Sequence, residues 1–453
     1  MKSTPLKEIA HLIGTKSAST NMASGVAVDT RLLQSGDLFF ALPGAKVDGH
    51  LFLQTAAAAG ATGAVVSTSY KGNDFGLPLL FVPDVLLALQ NYSKSYLQAS
   101  KATVVAVTGS LGKTTTKGFI ASLLKHRFKV SASPGNSNSQ IGLPLAILNH
   151  TSSDDEVIIL EMGMTMSGQL SKLIEIAPPH IAVVTTVALV HAENFDSLEG
   201  IVRSKAEIFT HPSTRLGIYH TESDISHVLA QAGSCAKQTF STTSQNSDFF
   251  LNSSASTLEI HENQLKPVHL PYLSIPGMHN RHNFLAAVAI ARNLGMEWEE
   301  IKSAQSTLGL PERRLEIIEK QGVVFVNDAY NASEMSMKSA LDSLPQPRTG
   351  GKKIAFLGGM VELGKFSIQC HQSVAKHALN RVDMMFCFGD DCLPMVEEWK
   401  SAGRPVIWTK ERDELVSELC HQMQPGDVVL LKGSRSKGVC KVLEMLPGEK
   451  GNG

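Results

Sequence analysis

Apolar and polar positions alternate in two rhythms along the chain. Short, nearly unbroken apolar runs recur: "ATVVAV" (102–107), "EVIIL" (156–160), "IAVVTT" (181–186), "VVFVND" (323–328), "KIAFLG" (353–358), "MMFCFG" (384–389), "PVIW" (405–408) and "DVVLLKG" (427–433). Runs this short and this apolar read as strands covered on both faces. Between the later runs lie stretches with helical spacing, such as "SMKSALDSL" and "CHQSVAKHALN". Alternation of the two predicts a mostly parallel sheet with helices on each side. Three segments separate. Residues 1–83 carry short strands, "GDLFFAL" and "ATGAVVS", and one alanine-rich helix, "FLQTAAAAG". Residues 84–309 open on an amphipathic helix that leads into "ATVVAV". Residues 310–453 alternate most cleanly. The Ser/Thr/Asn-rich stretch "STTSQNSDFFLNSSAS" (241–256) is expected to be an exposed excursion of the middle segment.

The chemistry concentrates where "ATVVAVT" runs into "GSLGKTTTK". A strand, a glycine loop ending Gly-Lys-Thr, and a helix in immediate succession form the context of a phosphate-binding loop. Glycines admit the phosphates to backbone N–H groups, and the helix N-terminus favours negative charge. Lys113 is placed to reach the β and γ phosphates, and the Thr114 hydroxyl to ligate Mg²⁺. The usual loop has four residues between its glycines; here Val107 stands at the first glycine position and Gly109 lies three before Gly112. Open α/β sheets bind ligands at the carboxyl ends of their strands. Glu161 ends "DDEVIILE", His191 follows "HIAVVTTVALV", and Lys205 and Glu207 lie on a helical stretch just beyond. Singly these are a strand-end charge, a loop histidine and a solvated lysine. A shared crevice with the phosphates is what raises Glu161, with its hard oxygens, to a Mg²⁺ ligand.

Bulk properties then narrow the class. The 453 residues suit about three domains. Lys+Arg number 41 against 42 Asp+Glu, which leaves no broad basic face for nucleic acid. The six cysteines form no C-x-x-C pair and read as reduced thiols. The N-terminal stretch interrupts any signal-peptide core with Glu8 and His11, and no apolar run is long enough to span a membrane. The chain is expected to be soluble, cytoplasmic and monomeric.

The motif set resembles the Mur ligases, ATP-dependent amino-acid and peptide ligases of cell-wall precursor synthesis. Their short phosphate loop, T-G-[ST]-x-G-K-T, is matched by Thr108, Gly109, Ser110, Leu111, Gly112, Lys113 and Thr114, with Thr115 following. The resemblance covers nearly the whole chain. It implies an α/β protein of three domains: a small α/β N-terminal domain for a UDP-sugar (1–83), a central P-loop-type parallel-sheet ATPase domain (84–309), and a Rossmann-like C-terminal domain for an incoming dipeptide (310–453). By resemblance Thr30, Arg31, Lys46, Asp48, Gly49 and His50 approach the UDP-sugar. Asn136 and Asn138 lie in the loop between ATP and sugar substrate. Asn280 and Asn283 close the adenine side, and Arg314 follows the second domain. Lys205 matches a lysine that becomes a carbamate in many members, and would then join His191 at a second Mg²⁺. "NDAYNASEMSMKSAL" is similar to the D-x-Y-N-A motif of the branch that adds D-alanyl-D-alanine. It supplies Asp328, Tyr330, Asn331 and Ser336. "LGGMVELG" (with Glu362, Leu363 and Gly364) and "LLKGSR" (with Lys432, Ser434 and Arg435) fit the same branch.

The implied reaction joins D-alanyl-D-alanine to UDP-N-acetylmuramoyl-tripeptide, using ATP, two Mg²⁺ and an acyl phosphate. Catalysis would fall to Lys113, Glu161, His191, Lys205 and Arg314. Asp328 would assist nucleotide binding. The chain departs from the family pattern in several places. Ser139, Thr165 and Thr186 replace asparagines, "VALVH" replaces V-G-P-A-H, "NASEMS" lacks an N-P pair, and Gly359 replaces an Asp. Another step of the same family, a folylpolyglutamate-synthase-like ligase and a non-catalytic binder of UDP-sugar peptides stay open as alternatives. The hundred residues before the loop argue against the folate enzyme. The absence of N-K-x-D argues against a GTPase.

Overall fold

The computed structural model describes residues 3–44, 47–222, 225–254, 256–263 and 265–446. Lys46 lies outside them. Three substantial sheets carry the chain. The first has four parallel strands in sequence order, Gly25–Ala27, Asp37–Phe40, Gly63–Ser67 and Leu79–Val82. Its apolar strands are buried on both faces. Leu38, Phe40 and Val65 pack on one side, and Phe39, Ala64 and Val66 on the other.

The second sheet has nine strands. Seven run parallel, from Val130–Ala132 at one edge to Phe249–Ser253, and Thr257–Glu262 and Val268–Pro271 extend it antiparallel. Strand Thr103–Thr108 lies between Val157–Glu161 and Ile181–Val184. The chain passes from it to one side of the sheet and later returns to the other. That reversal leaves a crevice at the strands' carboxyl ends. Helices Lys113–Leu124 and Met278–Asn293 cover one face through Phe119, Ile120, Phe284 and Leu285. Helices Gly142–His150, Gln169–Ile176 and Leu198–Ala206 cover the other.

The stretch 241–256 is not a simple exposed excursion. Its apolar triplet Phe249, Phe250 and Leu251 is buried and forms the strand Phe249–Ser253. Three consecutive apolar side chains outweigh the turn-forming composition around them, because leaving them in water costs about 1.5–3 kcal/mol each.

The third sheet has six strands. Five are parallel, and Glu316–Lys320 joins antiparallel at one edge. Strands Val323–Asn327 and Val428–Lys432 are neighbours with Asn327 opposite Leu431, so Asp328 and Lys432 emerge side by side.

Three joints tie these sheets together. Helix Val85–Gln98 packs Val85, Leu89 and Tyr92 against the first sheet and Leu97 against the second. Asn149, in helix Gly142–His150, acts as a substitute strand neighbour. Its carboxamide accepts from Val26 N (2.9 Å) and donates to Val26 O (2.8 Å) at the edge of the first sheet. Leu310 packs into the cores of both the second and third sheets.

Phe284 is fully buried on the helix that carries Asn280 and Asn283. Phe284→Ala should lower stability by about 3–5 kcal/mol, read as a lower urea midpoint, and should weaken nucleotide binding as that helix loosens. An unchanged midpoint would show that this contact does not support the central core.

Candidate functional site

The phosphate loop owes its path to two glycines. Gly109 has φ +150°, and a Cβ there would lie 1.9 Å from Thr185 Oγ1. Gly112 has φ +82°, and its Cβ would meet Asn283 Oδ1 at 2.3 Å. Neither position admits a side chain, so the shortened spacing belongs to a closely packed loop. The first bond of the following helix runs from Thr116 N to Gly112 O (2.8 Å). The amides of Lys113, Thr114 and Thr115 therefore have no acceptor within the helix and mark its anion-attracting end. Ser110 and Leu111 both donate their amides to Thr186 O. Lys113 Nζ curls over the loop, donating to Gly109 O (2.8 Å) and Ser110 O (3.2 Å).

Glu161 is the hub. Strand pairing sets it opposite Val107, one residue before the end of the strand that feeds the loop. It is 1% exposed. Oε2 accepts from Thr114 Oγ1 (2.9 Å), and Oε1 accepts from Asn138 Nδ2 (2.8 Å). Lys117 Nζ lies 3.4 Å from Oε2 and donates to Gly135 O (2.6 Å). Sequence reasoning missed Lys117. Its signal was the spacing in "GKTTTK", which places Lys113 and Lys117 on one helix face, one turn apart.

The third sheet reaches this hub. Arg314 donates to Thr114 Oγ1 (3.3 Å) and stacks 4.4 Å from the Tyr330 ring centre. Arg435 sits above the same ring at 6.0 Å. Lys432 pairs with the Asp328 carboxylate and donates to Asn331 O (3.0 Å). His191 Nδ1 pairs with the Glu362 carboxylate, and Glu193 N donates to Glu362 O (3.1 Å). His191 and Glu362 both have left-handed backbones, with φ +56° and +61°.

A single crevice of about 950 Å³ is lined by Ser110, Leu111, Gly112, Lys113, Thr114, Thr115, Asn136, Asn138, Glu161, His191, Asn280, Asn283, Arg314, Asp328, Tyr330, Asn331, Ser336, Lys432 and Arg435. Most of the expected residues thus converge, from stretches spread between residues 110 and 435. Ser336 does so with its hydroxyl engaged in a capping box with Ser333.

Other expected residues do not line the crevice. Thr108 ends the strand and Gly109 opens the loop, and neither reaches the lining. Lys205 is 3% exposed, within the core beneath it. Ser434 is buried and accepts from Val361 N (3.0 Å) through its hydroxyl, which makes it a support for the Glu362 loop. Glu207 turns away and caps helix Gln169–Ile176, accepting from Gly168 N (2.8 Å) and Ser171 N (3.0 Å). Free N–H groups at that helix start hold its carboxylate. Thr30, Arg31, Asp48, Gly49 and His50 lie in a turn and a short 3₁₀ helix that flank the first sheet, away from the crevice lining. Arg31 pairs with Asp29. His50 pairs with Asp48, accepts from Ser67 N (3.0 Å) and stacks on Tyr70.

The departures from the family pattern have local partners. Ser139 Oγ accepts from Gly142 N, and Thr165 donates to Gln169. A Cβ on Gly359 would fall 2.6 Å from Asp391 Cβ, so an aspartate does not fit there.

The electrostatics favour a polyanion. Burial lowers the Lys113 ammonium, the Glu161 charge opposes that, and Arg314 lowers it further. Burial, then Lys113, push Lys205 well below its ordinary value. His191 is lowered by burial, against the opposing Glu362, with Lys113 and Lys205 adding to the fall.

Family comparisons agree with this layout. The Mur ligase middle domain matches residues 107–291, the Mur ligase glutamate ligase domain residues 313–435, and the Mur ligase family catalytic domain residues 23–76. The chain belongs to the Mur ligase family. It is 33% identical to the UDP-N-acetylmuramoyl-tripeptide–D-alanyl-D-alanine ligase of Bacillus subtilis, over 93% of each chain. Among solved structures, MurF from Acinetobacter baumannii superposes with a TM-score of 0.85 at 25% identity, covering 98% of each chain. MurF from Thermotoga maritima in complex with ADP gives 0.77 at 28% identity, covering 93% of this chain and 96% of that one.

His279, also in the crevice wall, is held down to about 4, chiefly by burial. The unfolded chain binds that proton near 6.5, so the group's contribution is complete above pH 6.5 and is lost as pH falls toward 4. The loss should total about 3 kcal/mol at 1.36 kcal/mol per unit. Urea midpoints at pH 7 and pH 4 should therefore differ less in His279→Gln than in the wild type. Parallel slopes would rule out His279 as their source.

Proposed function

We propose that this chain is the ATP-dependent, ADP-forming ligase that adds D-alanyl-D-alanine to UDP-N-acetylmuramoyl-tripeptide in peptidoglycan precursor synthesis. The observation that carries this reading is the meeting of the phosphate loop and Glu161 with Arg314, Asp328, Tyr330 and Lys432 in one crevice. Relatives that span 93% and 94% of the chain carry that activity in their names. Three units follow, with limits near residues 83 and 309. The first takes the UDP-sugar through Thr30, Arg31, Lys46, Asp48, Gly49 and His50. The second holds ATP, and the third presents the dipeptide. Among the described residues no helix is long and apolar enough to cross a membrane, and we place the enzyme in the cytoplasm as a monomer.

A carboxylate is a poor electrophile. The γ-phosphoryl group of ATP passes to the tripeptide's terminal carboxylate, the dipeptide amine attacks the acyl phosphate, and phosphate leaves. Such a transfer needs positioning and charge neutralisation above all. Lys113 straightens from the loop carbonyls to meet the phosphates. Asn280 and Asn283 border the base, and Arg314 and Lys432 bring positive charge from the third sheet. Asn136 and Asn138 stand between nucleotide and sugar substrate. Tyr330, Asn331, Ser336, Ser434 and Arg435 shape the dipeptide side, Ser434 from behind.

The donor set at the hub fits Mg²⁺: a hydroxyl and a carboxylate, 2.9 Å apart, with Asn138 and Lys117 fixing the carboxylate. The ion would be held by Thr114 and Glu161 and would neutralise phosphate charge. His191 and Lys205, the latter as a carbamate, would hold a second ion. The desolvated Lys205 favours the neutral amine, the form that takes up CO₂ as a carbamate. The third unit closes over the second about residues 309–312, which keeps water from the acyl phosphate.

Phosphate release with Mg-ATP, D-alanyl-D-alanine and a UDP-N-acetylmuramoyl-tripeptide carrying either diaminopimelate or lysine tests the reading. Turnover should require all three substrates and yield a product heavier by the dipeptide. Lys113→Ala should lower kcat at least about 100-fold, the scale for losing one group that stabilises developing charge. Nucleotide binding without turnover on either tripeptide would sink the proposal and favour a non-catalytic binder.

A further inference from the structure

A second cluster of metal-ligating side chains lies outside the crevice lining. His220 ends strand Leu216–His220, Glu222 lies just past it, and His282 projects from helix Met278–Asn293. Their ligand atoms all fall within 4.8 Å of one another. We propose that His220, Glu222 and His282 bind one transition-metal ion of the Zn²⁺ type, a site distinct from the Mg²⁺ hub and independent of the ligase reading.

The geometry of the carboxylate supports this. Oε1 of Glu222 is anchored by Ser241 Oγ (2.8 Å), Thr242 N (2.7 Å) and Thr242 Oγ1 (3.1 Å). It also lies 3.1 Å from His282 Nε2. Oε2 is left facing both imidazoles, 3.4 Å from His220 Nε2 and 3.1 Å from His282 Nε2. Ligands about 2.1 Å from a tetrahedral Zn²⁺ stand roughly 3.4 Å apart. Two of the three edges therefore already have the length that a bound ion requires.

The second observation is an underused imidazole. His220 Nε2 is buried and, beyond the 3.4 Å approach of the Glu222 carboxylate, has no partner among the described residues. A buried polar atom so weakly satisfied is costly and calls for an explanation. An ion on the imidazole lone pair would satisfy it. The Thr242 hydroxyl, 2.6 Å from His282 Nε2, completes the polar surroundings. Two imidazoles and a carboxylate suit Zn²⁺ or a neighbouring divalent metal better than Mg²⁺, which prefers oxygen alone.

The site's place in the fold gives it a structural role. His282 precedes Asn283, whose Oδ1 accepts from Thr116 Oγ1 (3.1 Å) behind the phosphate loop. A bound ion would pin the helix carrying Asn280 and Asn283 to the strand end at His220. It would thereby steady the wall of the nucleotide crevice.

The full chain, stripped with a chelator and kept reduced, is dialysed against Zn²⁺ alone and against Co²⁺ alone. Wild type should retain one equivalent of Zn²⁺ and melt at a higher temperature with it. Bound Co²⁺ should show the visible bands of four- or five-coordinate nitrogen and oxygen ligation, without thiolate charge transfer. His282→Gln and Glu222→Gln should each weaken Zn²⁺ binding at least about tenfold. Failure of the wild type to retain the ion, thiolate bands from its cysteines, or undiminished binding in both variants would each overturn the site and leave a hydrogen-bonded cluster. The Co²⁺ spectrum needs no variant, so it decides the matter even if a substitution prevents folding.

Discussion

Everything at the crevice depends on holding one carboxylate, Glu161, in a place that water hardly reaches. An isolated carboxylate there would be costly. It stays because the chain meets it with a hydroxyl and a lysine from the phosphate-loop helix, Thr114 and Lys117, and an amide from a second segment, Asn138. The same three contacts fix the phosphate-loop helix, the loop at residues 134–141 and the strand that ends in Glu161 relative to one another. One buried charge thus sets the register of the whole catalytic floor.

Around that anion the cations are in excess. Lys113, Lys117 and Arg314 gather near a single buried carboxylate, and burial pushes both lysines down. Such an arrangement is uncomfortable without a partner and becomes favourable when a polyphosphate arrives. The third sheet adds Lys432, which holds Asp328 meanwhile. The protein therefore invests in self-repulsion at the place where its substrate carries the opposite charge.

Much of this was legible in the chain. The apolar runs at 102–107, 156–160 and 323–328 are strands because nothing polar interrupts them. The phosphate loop declared itself through its strand and helix neighbours despite Val107. What stayed hidden was long-range. Nothing near Glu207 indicates that its carboxylate will close a helix start 36 residues or more away. Phe249 to Leu251 were masked by their polar surroundings. Glu362 gave its motif but not its pairing with His191, which requires two sheets to meet. Lys117 is the instructive case: its position on the helix was readable, but the carboxylate opposite it was not.

The join made by Asn149 has a consequence for how the chain is made. The edge strand Gly25–Ala27 is finished by a side chain 123 residues further on. During synthesis the first sheet emerges with the backbone of Val26 still bare, and an unpaired edge invites any passing strand. The nascent first unit is thus a template awaiting its own stopper. The middle of the chain has to fold before the beginning is protected, so the order in which the protein is built and the order in which it becomes safe from mispairing are not the same.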